Sequence, residues 1–358
     1  MIRVTLTCRA PVAISRRRAI GFDLDTLPYI PGRAFRGAAA QAYLDSGGRA
    51  DSMEFRRVFL EDKVRFMDLR NGVPAPLSFR KCSRQPEYHA SRDQMWSAIL
   101  EGNYRGKCSC GAKMIPETGF LLLGRDGRDA APYSRPEVKT RRLAHSQVDP
   151  QTLSVMAQQF HSSRVIEGEE VFEGSVTFAD DAAGSIGTVL RACATIYLGR
   201  GRTRGQGRAE VSWIAVKDPD RSMEQRLETF NQAAARAGKR LFSCTFRSDG
   251  IFVDRWLRSK LDLTGSDLDE RLTEYRVCAA FAQQTLVAGW NAATGFPKAE
   301  VHAIAAGSVY VFEGDAGALS DSALASVLAE LEHDGVGERL SEGFGEVRFC
   351  DELHLAMR

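Results

Sequence analysis

Three cysteines and one histidine, Cys82, His89, Cys108 and Cys110, fall in the spacing C-x6-H-x18-C-x-C. Three thiolates and an imidazole suit a tetrahedral zinc ion, which would close a segment too polar to fold on an apolar core of its own. C-x-C is a less usual step than C-x2-C, and free thiols in a surface loop are the other reading. A second group of residues points to anion binding. The chain carries one glycine-rich loop twice, Gly199 to Val211 (GRGRTRGQGRAEV) and Gly337 to Phe349 (GERLSEGFGEVRF), each reading G-x5-G-x-G. Glycine is required where the backbone takes positive φ or approaches another group closely, and free N–H groups in such a loop form a concavity suited to phosphate oxygens. The candidate positions are Gly199, Gly205 and Gly207 with Arg200, Arg202 and Arg204, and Gly337, Gly343 and Gly345 with Arg339.

Other charges lie along the same line. The turn Pro31-Gly32 feeds a helix start carrying Arg33 and Arg36, where unpaired N–H groups make an anion site. Lys139, Arg141 and Arg142 form another basic run, as do Arg16, Arg17 and Arg18. His145 and His161 flank a basic run; they are of the right type for acid–base chemistry, although a lone histidine on a β-rich segment is more often structural or solvated. A nucleotide-binding enzyme does not fit, because no G-x4-GK-[ST] is present and GRGRTRG has one residue too many for G-x-G-x-x-G.

These residues must be positioned by elements legible in the pattern. Residues 2 to 14 alternate as a half-buried strand, and Phe35, Ala39, Tyr43 and Leu44 recur at helical spacing. From about 60 to 135 Gly, Pro and charge interrupt every candidate element, so this stretch is expected to be an insertion. A strand ending in EVFEGSVTF leads to a helix from about Gly184 to Tyr197 and then to the first loop. Ser222 to Gln225 is a capping box opening a helix that Gly238 stops. RLFSCTF, a Ser248-Asp249-Gly250 turn and IFVD read as a hairpin. A helical stretch through Leu268, Leu272, Tyr275 and Val277, a strand at Val309 to Phe312 and a helix from Ser320 to His333 precede the second loop.

The two loops are 138 residues apart, and the same offset sets Ile186, Val189, Leu190 and Cys193 opposite Leu324, Val327, Leu328 and Leu331. A loop that repeats in register with its preceding helix predicts an α+β chain of two tandem split βαβ units. The expected division is a first unit over 1–220, a connecting helix over 221–238 and a second unit over 239–358. The bulk numbers permit this: 358 residues, 44% hydrophobic and 26% charged, are an ordinary globular composition with room for two cores. The formal net charge of +2 does not mark the whole chain as a polyanion binder, so the local clusters carry that reading. The N-terminus alternates instead of forming an apolar run, and nothing approaches 18 uninterrupted apolar residues. A cytoplasmic protein with no signal peptide or membrane span is expected, its eight cysteines mostly reduced core thiols.

IPGRAFRGAAAQAYL, GWNAATGFPKAEVHAIAAGSVYVFEG and above all GVGERLSEGFGEVRF resemble the RAMP superfamily of CRISPR-associated proteins. The likeness covers nearly the whole chain and is strongest to the type III-D subunit of the group-five kind. It implies two ferredoxin-like, RRM-like domains with an insertion in the first, often zinc-binding. It also implies a non-catalytic role: capping the 5′-handle end of the crRNA beside target RNA, other RAMP subunits and the large polymerase-like subunit. Pro31, Gly32, Arg33 and Arg36 would then contact guide phosphates, and Gly337, Arg339, Gly343 and Gly345 would pack beside the RNA path. The first loop is the more basic, and Glu338, Glu342 and Glu346 replace positive charge in the second, so the first is expected nearer RNA. RAMP backbone subunits cleave target RNA with an aspartate in the loop before the IPG motif. Asp23 and Asp25 lie in that loop, and an endoribonuclease is the alternative. Tyr29 and Phe35 are candidates for base stacking, and apolar surface on helix 320–333 or on 223–237 for docking the large subunit.

Overall fold

The computed structural model describes residues 1–15, 23–86, 89, 91–104, 106–123, 133–148, 151–152, 154–216, 222–235, 238–291, 294–315 and 317–357. The cluster Arg16 to Arg18 lies outside them. The first half begins with β1 (Ile2–Cys8), β2 (Asp23–Leu24), α1 (Gly32–Asp45), α2 (Met53–Phe59) and β3 (Val64–Phe66). Alternation in β1 puts Val4, Leu6 and Cys8 at zero exposure, and the α1 spacing buries Phe35, Ala38, Ala39 and Tyr43. Then follow β4 (Val73–Pro74), β5 (Phe79–Cys82), β6 (Arg92–Asp93), α3 (Gln94–Glu101), β7 (Met114–Pro116), β8 (Phe120–Leu123) and β9 (Tyr133–Ser134). The half closes with the hairpin β10 (Thr140–Val148) and β11 (Val155–Ile166), then β12 (Val171–Phe178), α4 (Ala183–Ala192), β13 (Thr195–Tyr197) and β14 (Arg208–Ala215). The main sheet runs β13-β14-β1-β12-β3.

The second half contains α5 (Met223–Ala234), β15 (Lys239–Phe246), α6 (Gly265–Leu268), β16 (Arg276–Phe281), the hairpin β17 (Gln284–Asn291) and β18 (Phe296–Ile304), β19 (Val309–Asp315), α7 (Asp321–Asp334), β20 (Val347–Phe349) and α8 (Glu352–Ala356). Its sheet runs β16-β19-β15-β20. The chain is thus a mixed α/β protein with several sheets. Its two large sheets share one order of strands: β1, β3, β12 and β14 of the first correspond to β15, β16, β19 and β20 of the second.

The glycine loops are built by the same bonds in both halves. Arg200 N–H donates to Ala13 O at 3.0 Å, and Glu338 N–H to Ile251 O at 2.8 Å. Leu198 N–H reaches Gly207 O at 2.8 Å, and Val336 N–H reaches Gly345 O at 2.9 Å. A Cβ on Gly207 would stand 2.2 Å from Leu198 O, and one on Gly345 1.9 Å from Val336 O, so only glycine fits. Ala13 and Ile251 are 238 residues apart whereas the loops are 138 apart. The first half therefore holds 100 more residues between these points.

Several sequence expectations are corrected. The helix expected to reach Tyr197 ends at Ala192, because Thr195–Tyr197 pairs with β14. Residues 251–254 do not form a hairpin with 239–246; Gly250 bridges Ile304 and Ile251 supports the second loop. The stretch through Tyr275 and Val277 is not one helix: α6 is four residues long and Val277 lies in β16. Helix α5 ends on Ala235 with φ 50°, before Gly238. Within the region expected as an insertion, Val64–Phe66 joins the main sheet of the first half. Met95, Trp96 and Ile99 of α3 join the core of the second half, as do Met223, Leu227 and Phe230 of α5.

Candidate nucleic-acid interface and metal cluster

The first glycine loop stands at the mouth of a cleft of about 320 Å³. Arg200, Gly201, Thr203, Arg204 and Gln206 form one wall; Ala13, Ser15, Leu24 and Asp25 a second; His145, His161, Ser163 and Arg164 of the β10–β11 hairpin a third. Gly201 and Gly205, at φ 72° and 77°, bracket a short turn of 3₁₀ helix that throws Arg202 and Arg204 outward. Among the described residues no carboxylate pairs with Arg200, Arg202 or Arg204, and all three are exposed. Unpaired guanidiniums beside a concave wall attract a polyanion. His145 and His161 face each other across the hairpin register with ring centroids 4.9 Å apart and planes 20° apart. His145 Nε2 lies 3.2 Å from Ser163 Oγ. Asp25 accepts from Thr26 N–H at 2.9 Å and lies 3.7 Å from Arg164 Nε. Asp23 is the parallel register partner of Ser162. Lys139 precedes β10, and Arg141 and Arg142 lie on it; all three are exposed and outside the cleft lining.

The second loop is committed elsewhere. It packs on the start of α1, where Gly32 Cα is 3.1 Å from the position a Cβ on Gly343 would take. Gly32 N–H donates to Asp68 Oδ1 at 2.7 Å, so a carboxylate of the chain itself occupies this helix start. Phe344 lies under two guanidiniums, Arg339 at 4.9 Å and Arg33 at 5.7 Å from its ring centroid. Arg339 also binds Glu342 at 2.7 Å, as does Lys298 at 2.8 Å. Burial alone would push the Glu342 carboxyl up, but these two cations outweigh it and hold it below its ordinary value. Arg70 joins the halves, reaching Asp68 at 2.6 Å and Glu346 at 3.0 Å. Burial raises Asp68 against the opposing pull of Arg70 and the Gly32 N–H. Arg36 donates to Phe59 O. Phe35 is fully buried, stacked on Trp213 at 5.7 Å, so it presents no face to a base.

Sequence reasoning flagged Asp25, His145, His161 and the first loop separately, and the fold brings them together. It missed Ser163 and Arg164, which reach the cleft through the β11 register with β2, and Gln206 inside the loop. It also missed Asp68, Arg70 and Glu346. Asp68 and Arg70 are two apart on one segment, yet their partners Gly32 and Glu346 lie 36 and 276 residues away, a pairing no local pattern encodes.

Cys82, His89, Cys108 and Cys110 converge, each offering a ligand atom within 4.8 Å of the others. Cys82 Sγ is 3.6 Å from Cys110 Sγ, and Cys108 Sγ is 3.3 Å from His89 Nδ1. A tetrahedral zinc site with bonds of about 2.3 Å to sulfur and 2.0 Å to nitrogen has edges of roughly 3.8 and 3.5 Å. The donor set therefore fits such an ion. Gln85 N–H donates to Cys82 Sγ at 3.4 Å, and this bond leads in holding that thiol below its ordinary value, as a thiolate ligand requires.

Residues 196–341 match the family model described as CRISPR-associated protein (Cas_Cmr3). This segment runs from the strand before the first glycine loop into the second. No curated protein sequence matches the chain. Among solved structures, a chain of the type III-B Cmr-beta complex bound to cognate target RNA and AMPPnP is 13% identical over 86% of each chain, with a TM-score of 0.44. A chain of a type IV-B CRISPR complex is 16% identical over 62% of this chain and 94% of that one, at 0.28. Pyrococcus furiosus Cmr4 (Cas7) is 14% identical over 60% of this chain and 99% of that one, at 0.28. The chain is similar to CRISPR-associated proteins of the RAMP type.

Proposed function

We propose that the chain is a guide-RNA-binding structural subunit of a type III CRISPR effector ribonucleoprotein. It holds the 5′ handle of the crRNA and assembles with target RNA, other RAMP subunits and the large subunit. The carrying observation is the inequality of the two glycine loops: the first offers unpaired Arg200, Arg202 and Arg204 beside an open cleft, while the cations of the second are spent on Glu342 and Phe344. Loop amides and guanidiniums neutralise guide phosphates and fix the register of the RNA end; they carry no sequence reading of their own. Replacing the three arginines by alanine should weaken guide-RNA binding and flatten its salt dependence by about 0.7 in log–log slope per lost contact. Unchanged affinity would make the cluster mere surface.

The proposal includes two ferredoxin-like units, over 1–220 and 239–358, joined through 221–238. The common strand order of the two large sheets supports it. It also includes a cytoplasmic setting and a structural zinc on Cys82, His89, Cys108 and Cys110, which supplies cross-linking and no chemistry. A second reading, an endoribonuclease using Asp25 or Asp23, draws on the meeting of Asp25 with two histidines in one cleft. Acid and base must stand on opposite sides of the reacting phosphorus to serve in-line attack. Rings stacked with centroids 4.9 Å apart leave no room for a phosphate between them. The two histidines therefore cannot flank a phosphate as acid and base, and binding without turnover is the reading adopted. Cleavage of guide or target RNA that Asp25→Ala abolishes would reverse this.

A further inference from the structure

The apolar faces of α5 and α7 are buried in the core, so neither helix offers the docking surface the sequence pointed to. Exposed apolar surface stands instead on a five-residue turn, 254–258. Trp256 is 65% exposed and Leu257 83%. The turn is fixed from within. Asp254 N–H donates to Arg258 O at 2.9 Å and Leu257 N–H to Asp254 O at 2.8 Å, above a bridge between Val253 and Ser259. The Asp254 carboxylate accepts from Trp256 N–H at 2.8 Å, Arg258 N–H at 3.0 Å and Arg258 Nε at 2.8 Å. Its root stands on the second glycine loop, since Ile251 O accepts from Glu338 N–H. Leu257 is held at φ 60°, the left-handed region, which is unfavourable for a γ-branched residue. The chain thus uses backbone strain and five local hydrogen bonds to present an indole and an isobutyl group to solvent.

We infer that this turn is a preformed anchor for a partner protein presenting an apolar pocket with an acidic rim. Three observations select that occupant. Leu257 is aliphatic and projects beside the indole; a base can stack on the indole but leaves the leucine bare, whereas a protein pocket buries both. Arg255 lies over the Trp256 ring at 5.0 Å and has no carboxylate partner among the described residues, so the rim of a complementary pocket is acidic. Third, the offset that aligns Ala13 with Ile251 sets 254–258 against 16–20, which reads RRRAI. In sequence Trp256 thus stands opposite Arg18 and Leu257 opposite Ala19, while Arg255 keeps the charge of Arg17. Its neighbouring loop likewise carries Glu338, Glu342 and Glu346 where the first carries Arg200, Arg204 and Arg208, and Glu342 and Glu346 are paired within the chain. The second copy has diverged from a polyanion toward a protein. Two apolar side chains are too few to anchor a membrane.

Leu257→Gly separates binding from folding, because glycine takes φ 60° without strain and the variant should melt no lower than the parent. The probe is the set of other subunits of the effector complex, each purified without RNA, so the test rests on the proposed function only for where the partner is sought. Leu257→Gly and Trp256→Ala should each lower the affinity of one such subunit by at least about tenfold, the usual threshold of an interface hot spot. Arg255→Glu should lower it in a salt-dependent manner. Guide-RNA affinity should be unchanged in all three. A photoreactive phenylalanine at 256 should cross-link to that subunit beside an Asp or Glu. Equal affinity of parent and variants for every subunit would overturn the anchor. So would a cross-link to RNA, to a second copy of the chain, or to vesicles of mixed neutral and anionic lipid. Loss of guide binding by the parent chain would instead overturn the proposed function and leave these pairwise measurements standing.

Discussion

His354 shows how a single side chain can tie distant segments. It is fully buried, with Nδ1 2.6 Å from Asp93 Oδ2 and Nε2 2.9 Å from Thr245 Oγ1, and its carbonyl accepts from Trp96 Nε1 at 2.7 Å. Burial alone would lower the imidazole, but Asp93, with Asp351 behind it, outweighs that cost and raises it above its ordinary value. A raised folded-state value means that the contribution to stability is complete below the unfolded imidazole value of about 6.5 and is lost as pH rises through the folded one. The melting temperature should therefore fall as pH is raised from about 6. Asp93→Asn keeps an oxygen for the Met95 N–H but removes the charge. It should cost about 1.5–3 kcal/mol at low pH and flatten that slope; parallel slopes for parent and variant would show that the pair does not titrate. Nothing in the sequence foretold this contact. His354 and Asp93 are 261 residues apart, and neither lies in a motif.

At the scale of elements, the glycine loops were legible because their constraint is local: a missing Cβ and a positive φ recur wherever this turn is built. Element ends were less legible, since β13 and β16 exist only because β14 and β19 lie beside them. The loops also allow a graded test. At Gly205, φ is 77° and a Cβ would meet nothing within 4 Å; at Gly343, φ is 89° and a Cβ would fall 2.6 Å from Phe66 O. Gly205→Ala should cost only the left-handed strain, about 1–2 kcal/mol. Gly343→Ala should cost about 1–3 kcal/mol more, because the second loop must also move off β3 and α1. Denaturant melts compare the two, and equal costs would mean that the second loop is not wedged against the first half. The cysteine cluster makes a parallel prediction for the segment from β5 to β7. Metal analysis should find one zinc per chain, and a chelator or Cys108→Ser should lower stability as the cross-link opens. A metal-free parent protein would remove the zinc. Here the composition gave the ligands and the fold gave their convergence.

Across the whole molecule, the two copies of the module have divided their work, and the division can be tested by pulling stability and RNA affinity apart. Arg70 ties the two halves, because it neutralises Asp68 of the first half and Glu346 of the second while almost wholly buried. Arg70→Ala leaves the Asp68 charge buried without its cation, which costs about 3–5 kcal/mol. The variant should melt well below the parent, in calorimetry as a broadened or split transition if the halves then unfold in turn. The cleft beside the first loop contains none of these groups, so the salt dependence of guide binding should keep its slope. Arg200, Arg202 and Arg204 make no ion pairs among the described residues, so replacing all three should leave the melt unchanged and reduce the slope by about two. If both variants moved both quantities together, the loops would not be separable into one that grips RNA and one that joins the halves. Their shared backbone would then mean shared work.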